Sequence, residues 1–225
     1  MKVSRQSGWS CTGALLALAL TGCATAPAVN SEQRLQARAA YERGLSHLRE
    51  RQPSLALPAL QEAIALDGGE ALYHTTLGLL FLELRRPDLA LERFGAATAL
   101  DASYAEAQLD TGIALTEMGR WEEGVAAYRR AIALPTLNVP HIAYQNLGLA
   151  LYHLKRYREA EEALRFAINL EPKLEGAYYN LGLVFVAEDR KDEARMVFRR
   201  ARELAPESPF GQAALERLRA LGEGG

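Results

Sequence analysis

The side chains best equipped for chemistry are two cysteines, Cys11 and Cys23, and four histidines, His47, His74, His141 and His153. A metal centre or an activated thiol needs such groups at short, defined spacings or backed by a partner base. Here no histidines stand at the HExxH separation, and none has a cysteine nearby in the mature part of the chain. His47 and His74 fall at helix positions that face neighbouring helices, so they read as core or rim residues. A phosphate cradle needs clustered glycines before a lysine, and a serine nucleophile elbow needs GxSxG. Neither GxxxxGKS/T nor GxSxG occurs. The acidic pairs Glu122-Glu123 and Glu161-Glu162 read as helix-start residues, where the macrodipole favours negative charge. The expectation is a protein that is not an enzyme, with no catalytic residues, no metal site, no small-molecule substrate and no cofactor beyond a covalent lipid.

That lipid follows from the setting of Cys23. Lys2 and Arg5 supply a positive start, and residues 14–20 form an apolar run. The run is far too short to cross a hydrocarbon layer of about 30 Å as a permanent helix. It leads into Leu20-Thr21-Gly22-Cys23, which resembles the bacterial lipobox, with small residues before a cysteine. The resemblance implies that residues 1–22 are a lipoprotein signal peptide and that Cys23 is acylated as the new N-terminus. Several acyl chains on one residue hold firmly, at roughly 0.8 kcal/mol per buried methylene. Ala24 stands where an Asp would resemble the inner-membrane retention signal. By that analogy the protein is lipid-anchored to the outer membrane and faces the periplasm.

The elements beyond Cys23 are set by repetition. With 49% apolar residues the chain can bury a core as one domain, and 26 basic against 28 acidic residues argue against nucleic acid as a partner. Residues 24–35 lack periodicity, so 23–36 reads as a lipidated N-terminus and tether. Glycines then recur at 44, 78, 112, 148 and 182, at spacings of 34, 34, 36 and 34. Twelve residues after each glycine stands a small residue: Ala56, Ala90, Gly124, Ala160, Ala194. Four further on stands a large one: Leu60, Phe94, Tyr128, Leu164, Phe198. Ala63, Ala97, Ala131, Ala167 and Ala201 complete the pattern. Small residues let two antiparallel helices approach closely, and the large one fills the space between hairpins. One hairpin cannot bury its apolar stripe alone, so several must stack.

The pattern resembles the tetratricopeptide repeat (TPR) family. That resemblance implies an all-α fold, a right-handed solenoid of five helix-turn-helix repeats at 37–70, 71–104, 105–138, 141–174 and 175–208, plus a C-terminal capping helix. The cap and a frayed Gly-rich tail take residues 209–225. Repeat one is the most degenerate, with Pro58 expected to kink its second helix. The family exposes one side of each first helix in a concave groove. Projecting that register gives Tyr41, Leu45 and Leu48 in repeat one, and Leu72, Leu79 and Leu82 in repeat two. Repeat three contributes Leu109 and Ile113, and repeat four Ile142, Leu149 and Tyr152. Tyr179, Leu183 and Val186 complete the stripe in repeat five. An exposed apolar stripe of that length marks a partner-binding surface. Carboxylate-clamp TPRs present basic side chains beside an asparagine column. Asn146 and Asn180 stand in such a column, but the neighbouring Leu109, Ile113, Gln145 and Gly176 are not basic. An apolar peptide, strand or amphipathic helix suits the groove better.

The period lengthens by two residues at 133–140, with Pro135 and Pro140 flanking a longer turn before Asn146-Leu147-Gly148-Leu149. A prolonged turn of this kind, followed by an NLGL helix, is similar to the PilF/PilW/Tgl family of outer-membrane TPR lipoproteins. That resemblance implies a pilotin, which binds protomers of the type IV pilus secretin and promotes their assembly in the outer membrane. The family is commonly described with six repeats, against five and a single helix in this sequence. Two other roles use the same parts: an adaptor recruiting periplasmic envelope enzymes, and a lipoprotein of the β-barrel assembly machinery.

Overall fold

Asn30 opens the first helix: its side-chain oxygen accepts the Gln33 N–H, while the Gln33 side chain accepts the Asn30 N–H. This reciprocal cap satisfies two donors that a helix start otherwise leaves orphaned. The computed structural model describes residues 29–222. The expected signal peptide, Cys23, the tether up to residue 28 and tail residues 223–225 lie outside the described residues. The tether reading is corrected at its far end, because residues 31–36 are already helical. Their lack of an apolar period misled: the first turns of this helix are exposed and held by the cap, and burial begins only at Ala37.

The described chain is a succession of helices: α1 (Ser31–Arg49), α2 (Pro53–Leu66), α3 (Ala71–Glu83), α4 (Pro87–Leu100), α5 (Ala105–Glu117), α6 (Trp121–Ala133), α7 (Pro140–His153), α8 (Tyr157–Leu170), α9 (Glu175–Ala187), α10 (Lys191–Leu204) and α11 (Pro209–Ala220). They pair in order as five antiparallel hairpins with α11 closing the stack, the architecture of a TPR solenoid. α2 is not broken at Pro58. The proline and Ser54, whose carbonyl loses its partner, are both exposed, so that carbonyl stays open to solvent.

Within each hairpin the glycine column lies directly under the large residue of the second helix. A Cβ on Gly78 would overlap the Phe94 ring, and one on Gly112 the Tyr128 ring. Phe94 and Tyr128 are buried as a result, and the Tyr128 hydroxyl is satisfied by Thr116 Oγ1 at 3.0 Å. Between the helices, Arg51, Arg85, Gly119, Lys155 and Asp189 all adopt left-handed backbone, with φ between 57° and 74°. The following N–H returns to a carbonyl five residues back, as from Arg86 to Phe81 at 2.8 Å. The chain thereby leaves each first helix through the same hydrogen-bonded stop. The second helices of the last four hairpins then begin on an arginine whose fork grips a first-turn acid: Arg86–Asp88, Arg120–Glu123, Arg156–Glu159 and Arg190–Glu193. Glu161-Glu162, read above as helix-start acids, lie in the second turn of α8. Glu161 instead ties repeats together by accepting Arg190 from the next hairpin.

Successive first helices touch: α3 packs on α5, α5 on α7, α7 on α9 and α9 on α11. The second helices make no comparable contact with one another, so the first helices form the inner, concave side. The longer turn is docked, with Thr136 Oγ1 donating to Ser103 O at 2.8 Å and Asn138 Nδ2 to Glu106 Oε1 at 2.7 Å. At the other end, Phe210 of α11 rests 5.7 Å from Tyr179, and Ala214 and Leu218 are buried against the last hairpin. The buried apolar side chains fall into two clusters. The smaller joins α1–α4 and reaches Ala114 of α5, and the larger runs from Leu109 of α5 to α11.

Candidate partner-binding groove

The concave face is built by the exposed sides of α1, α3, α5, α7 and α9, and the projected stripe is not uniformly open there. Tyr41 and Leu109 are buried, at 7% and 4% exposure, and neither offers a surface to a partner. A helix position facing the groove in one repeat also abuts the first helix of the next, and a large side chain there is covered by it. Thus the Tyr41 ring packs 4.7 Å from that of Tyr73, and its hydroxyl pairs with Thr76 Oγ1 at 3.0 Å. Leu45, Leu48 and Leu82 are half-buried against the N-terminal cluster. Ile113, Ile142, Tyr152, Tyr179 and Leu183 are half-buried against the C-terminal one. Leu72, Leu79 and Val186 stand open, at 47%, 46% and 37%. The accessible apolar surface is therefore concentrated on α3, with an outlying point on α9.

Between α5 and α7 the groove deepens into a cavity of about 260 Å³ lined by Ile113, Thr116, Trp121, Tyr128, Asn146 and Leu149. Trp121 forms its floor edge by stacking on His153, centroids 4.0 Å apart and planes 10° apart. A larger depression of about 430 Å³, between α8, α9 and α10, lies toward the second-helix side and is lined by Arg165, Ile168, Tyr178 and Val197. Exposed Phe166, stacked on Tyr144, stands near it.

Of the histidines, His47 Nδ1 lies 3.1 Å from Gln52 Oε1, and buried His74 reaches Gly68 O through Nε2 at 3.1 Å. Among the described residues no group of three or more His, Cys, Asp or Glu could hold a metal ion. No helix among them is long and apolar enough to cross a membrane.

Sequence reasoning passed over Asp110. It lies one turn from Ile113 on α5, at the register Asn146 fills on α7, and no hydrogen bond or ion pair engages its carboxylate among the described residues. Burial, and secondarily the charge of Glu106, push its pKa up to about 7. The signal available was an acid inside an otherwise apolar helical column, which an apolar-only projection discards.

Comparison with known proteins agrees with this architecture. The family model for the tetratricopeptide repeat matches residues 75–139, 117–173 and 146–209, together more than half of the chain. Among curated proteins, Protein O-mannosyl-transferase Tmtc2 of Drosophila melanogaster is 38% identical over 86 residues, 37% of this chain. The match spans only 9% of that protein's length. Among solved structures, MamA superposes with a TM-score of 0.66 at 27% identity, covering 73% of this chain and 95% of its own. PilW, described as a widely conserved type IV pilus biogenesis factor, gives 0.69 at 18% identity, over 82% of this chain and 92% of its own. PilF of Pseudomonas aeruginosa gives 0.68 at 21% identity, over 86% and 95%. At those identities the last two likenesses speak for the fold.

Proposed function

This chain belongs to the tetratricopeptide repeat family, and from that premise we propose that it is an outer-membrane lipoprotein that captures a partner protein in its concave groove, acting as a pilotin for the type IV pilus secretin. The family supplies the scaffold: a rigid stack whose inner face presents side chains from several helices to one extended or helical segment. The observation that carries the reading is the open apolar surface at Leu72 and Leu79, continued by the cavity beside Ile113 and Leu149. Two exposed leucines two turns apart on one face of a helix gain the free energy of apolar burial only when a partner covers them. The lipobox ending at Cys23 supports an anchored protein, and the fold shared with PilW and PilF supports the pilus role. The work is stoichiometric: the lipid holds one end at the membrane while the groove shields an apolar secretin segment until protomers assemble.

Deletion of the gene, followed by immunoblotting of outer-membrane fractions for heat-resistant secretin multimers, tests the reading. Loss of multimers with monomer still present is the expected result, restored by the wild-type chain and not by Leu72→Asn with Leu79→Asn. Normal multimers and normal pili in the deletion strain would overturn it and direct attention to envelope-enzyme recruitment or β-barrel assembly.

A further inference from the structure

The charges of this nearly neutral chain are sorted by helix. The inner helices α3, α5, α7 and α9 carry Glu83, Glu106, Asp110, Glu117 and Glu175, and not one Lys or Arg. The cations of the same repeats stand on the outer helices α4, α6, α8 and α10, among them Arg93, Arg129, Arg165 and Arg200, and in the turns, as at Arg86, Arg120, Arg156 and Arg190. Most acids of the outer helices are neutralised in place: Asp88, Glu123, Glu159, Glu161 and Glu193 all sit in ion pairs. No ion pair engages Glu83, Asp110, Glu117 or Glu175 among the described residues, and Glu106 accepts only from Asn138, its backbone N–H and its side-chain amide. The groove therefore has an apolar rim at Leu72 and Leu79 and, toward α5, a run of acids with no ion-pair partner among the described residues.

Position strengthens the effect. Asp110 is partly withdrawn from water on α5, one turn from Glu106, where a countercharge is worth more than at an exposed site. An acid left without a partner in such a place costs folding free energy that a bound cation would return. Arg38 on α1 marks where the acid-only run ends, because the first hairpin mixes both signs.

Resting on the groove reading above, we propose that the segment this protein captures is cationic as well as apolar: an amphipathic stretch that lays its apolar side chains on Leu72, Leu79 and Ile113 and sets a Lys or Arg against Asp110. Complementary charge of this kind fixes register and speeds encounter, and it excludes acidic segments of equal hydrophobicity. The apolar contact supplies the adhesion and the Asp110 contact the selection.

The test uses the whole chain in detergent and two dye-labelled amphipathic peptides with the same leucine face, one carrying lysines on its polar face and the other glutamates. Fluorescence anisotropy is expected to give at least tenfold tighter binding of the lysine peptide at low salt, with the gap narrowing in 0.5 M NaCl. Asp110→Asn should remove most of that preference, and Glu83→Gln with Glu117→Gln part of it. Equal binding of both peptides, lost in Leu72→Asn with Leu79→Asn, would leave the groove reading standing and overturn the cation. A lysine preference unchanged by Asp110→Asn would overturn it too, placing the charge recognition elsewhere. Binding that survives the leucine substitutions would overturn the groove itself. Sedimentation showing that the groove is closed by a second copy, and opened only when the copies separate, would overturn the heterologous partner.

Discussion

At the residue scale the fold depends on which atoms are missing. Gly78 sits where a methyl group would overlap Phe94, whereas Gly95, on the exposed side of α4, has nothing within 4 Å of the same point. Alanine favours the helical backbone over glycine by about 0.5–1 kcal/mol, so the two substitutions should move stability in opposite directions. Gly78→Ala is expected to lose about 1–3 kcal/mol through overpacking, and Gly95→Ala to gain about 0.5–1 kcal/mol. Urea denaturation followed by circular dichroism reads both. Asp110 gives a second prediction at this scale. Its pKa of about 7 in the fold stands above the ordinary carboxylate value. The folded state thus holds a proton that the unfolded chain releases, and stability falls as pH rises from about 4 to about 7. Asp110→Asn should be more stable than the native chain by about 1–3 kcal/mol at pH 8, with the difference gone by pH 4. An unchanged difference across that range would show that the carboxylate already finds compensation.

At the scale of the element, the turn between the helices of each hairpin is the repeated device. Four of its five left-handed positions hold side chains, Arg51, Arg85, Lys155 and Asp189, and Gly119 holds the fifth. Left-handed backbone costs an L-residue roughly 1–2 kcal/mol, partly offset by the greater freedom glycine loses on folding. Arg85→Gly is expected to stabilise by about 0.5–1 kcal/mol, and Gly119→Ala to destabilise by about 1 kcal/mol. Thermal melts of the two variants check the pair. The glycine period was legible because a close helix crossing admits no Cβ, which constrains residue type directly. The turn was not, because the hydrogen bonds that hold it run between backbone atoms, leaving Arg, Lys and Asp free to occupy a glycine-like conformation. The start of α1 was missed for a related reason: a capped, exposed helical turn needs no apolar period.

Among the described residues, stability is concentrated in two apolar clusters, the smaller formed by α1–α4 with Ala114 of α5. In a stack whose units contact only their neighbours, such a seam divides cooperativity. Hydrogen exchange should resolve two levels of protection, with amides of α1–α4 opening at lower free energy than those of α6–α10. One uniform level would show that α5, which contributes to both clusters, transmits stability across the seam. The arrangement bears on function, because the exposed leucines lie on the side of the smaller cluster and covering them should raise protection there first.

The sequence by itself determined the helical hairpins, their period and their order, since a 34-residue recurrence of small and large residues can pack in few ways. It also determined that the longer turn falls between the third and fourth hairpins. Which members of the groove column are open was decided only by the tertiary structure. Tyr41, Leu72, Leu79 and Leu109 look alike as apolar residues on inner helices, yet two are covered by the neighbouring hairpin and two are not. Exposure on a solenoid depends on how each first helix leans on the next, a relation between residues more than thirty positions apart that no local pattern records. The isolation of Asp110 was decided in the same way: a carboxylate is unpaired only with respect to every helix that surrounds it, and the inner helices α3, α5 and α7 carry no Lys or Arg.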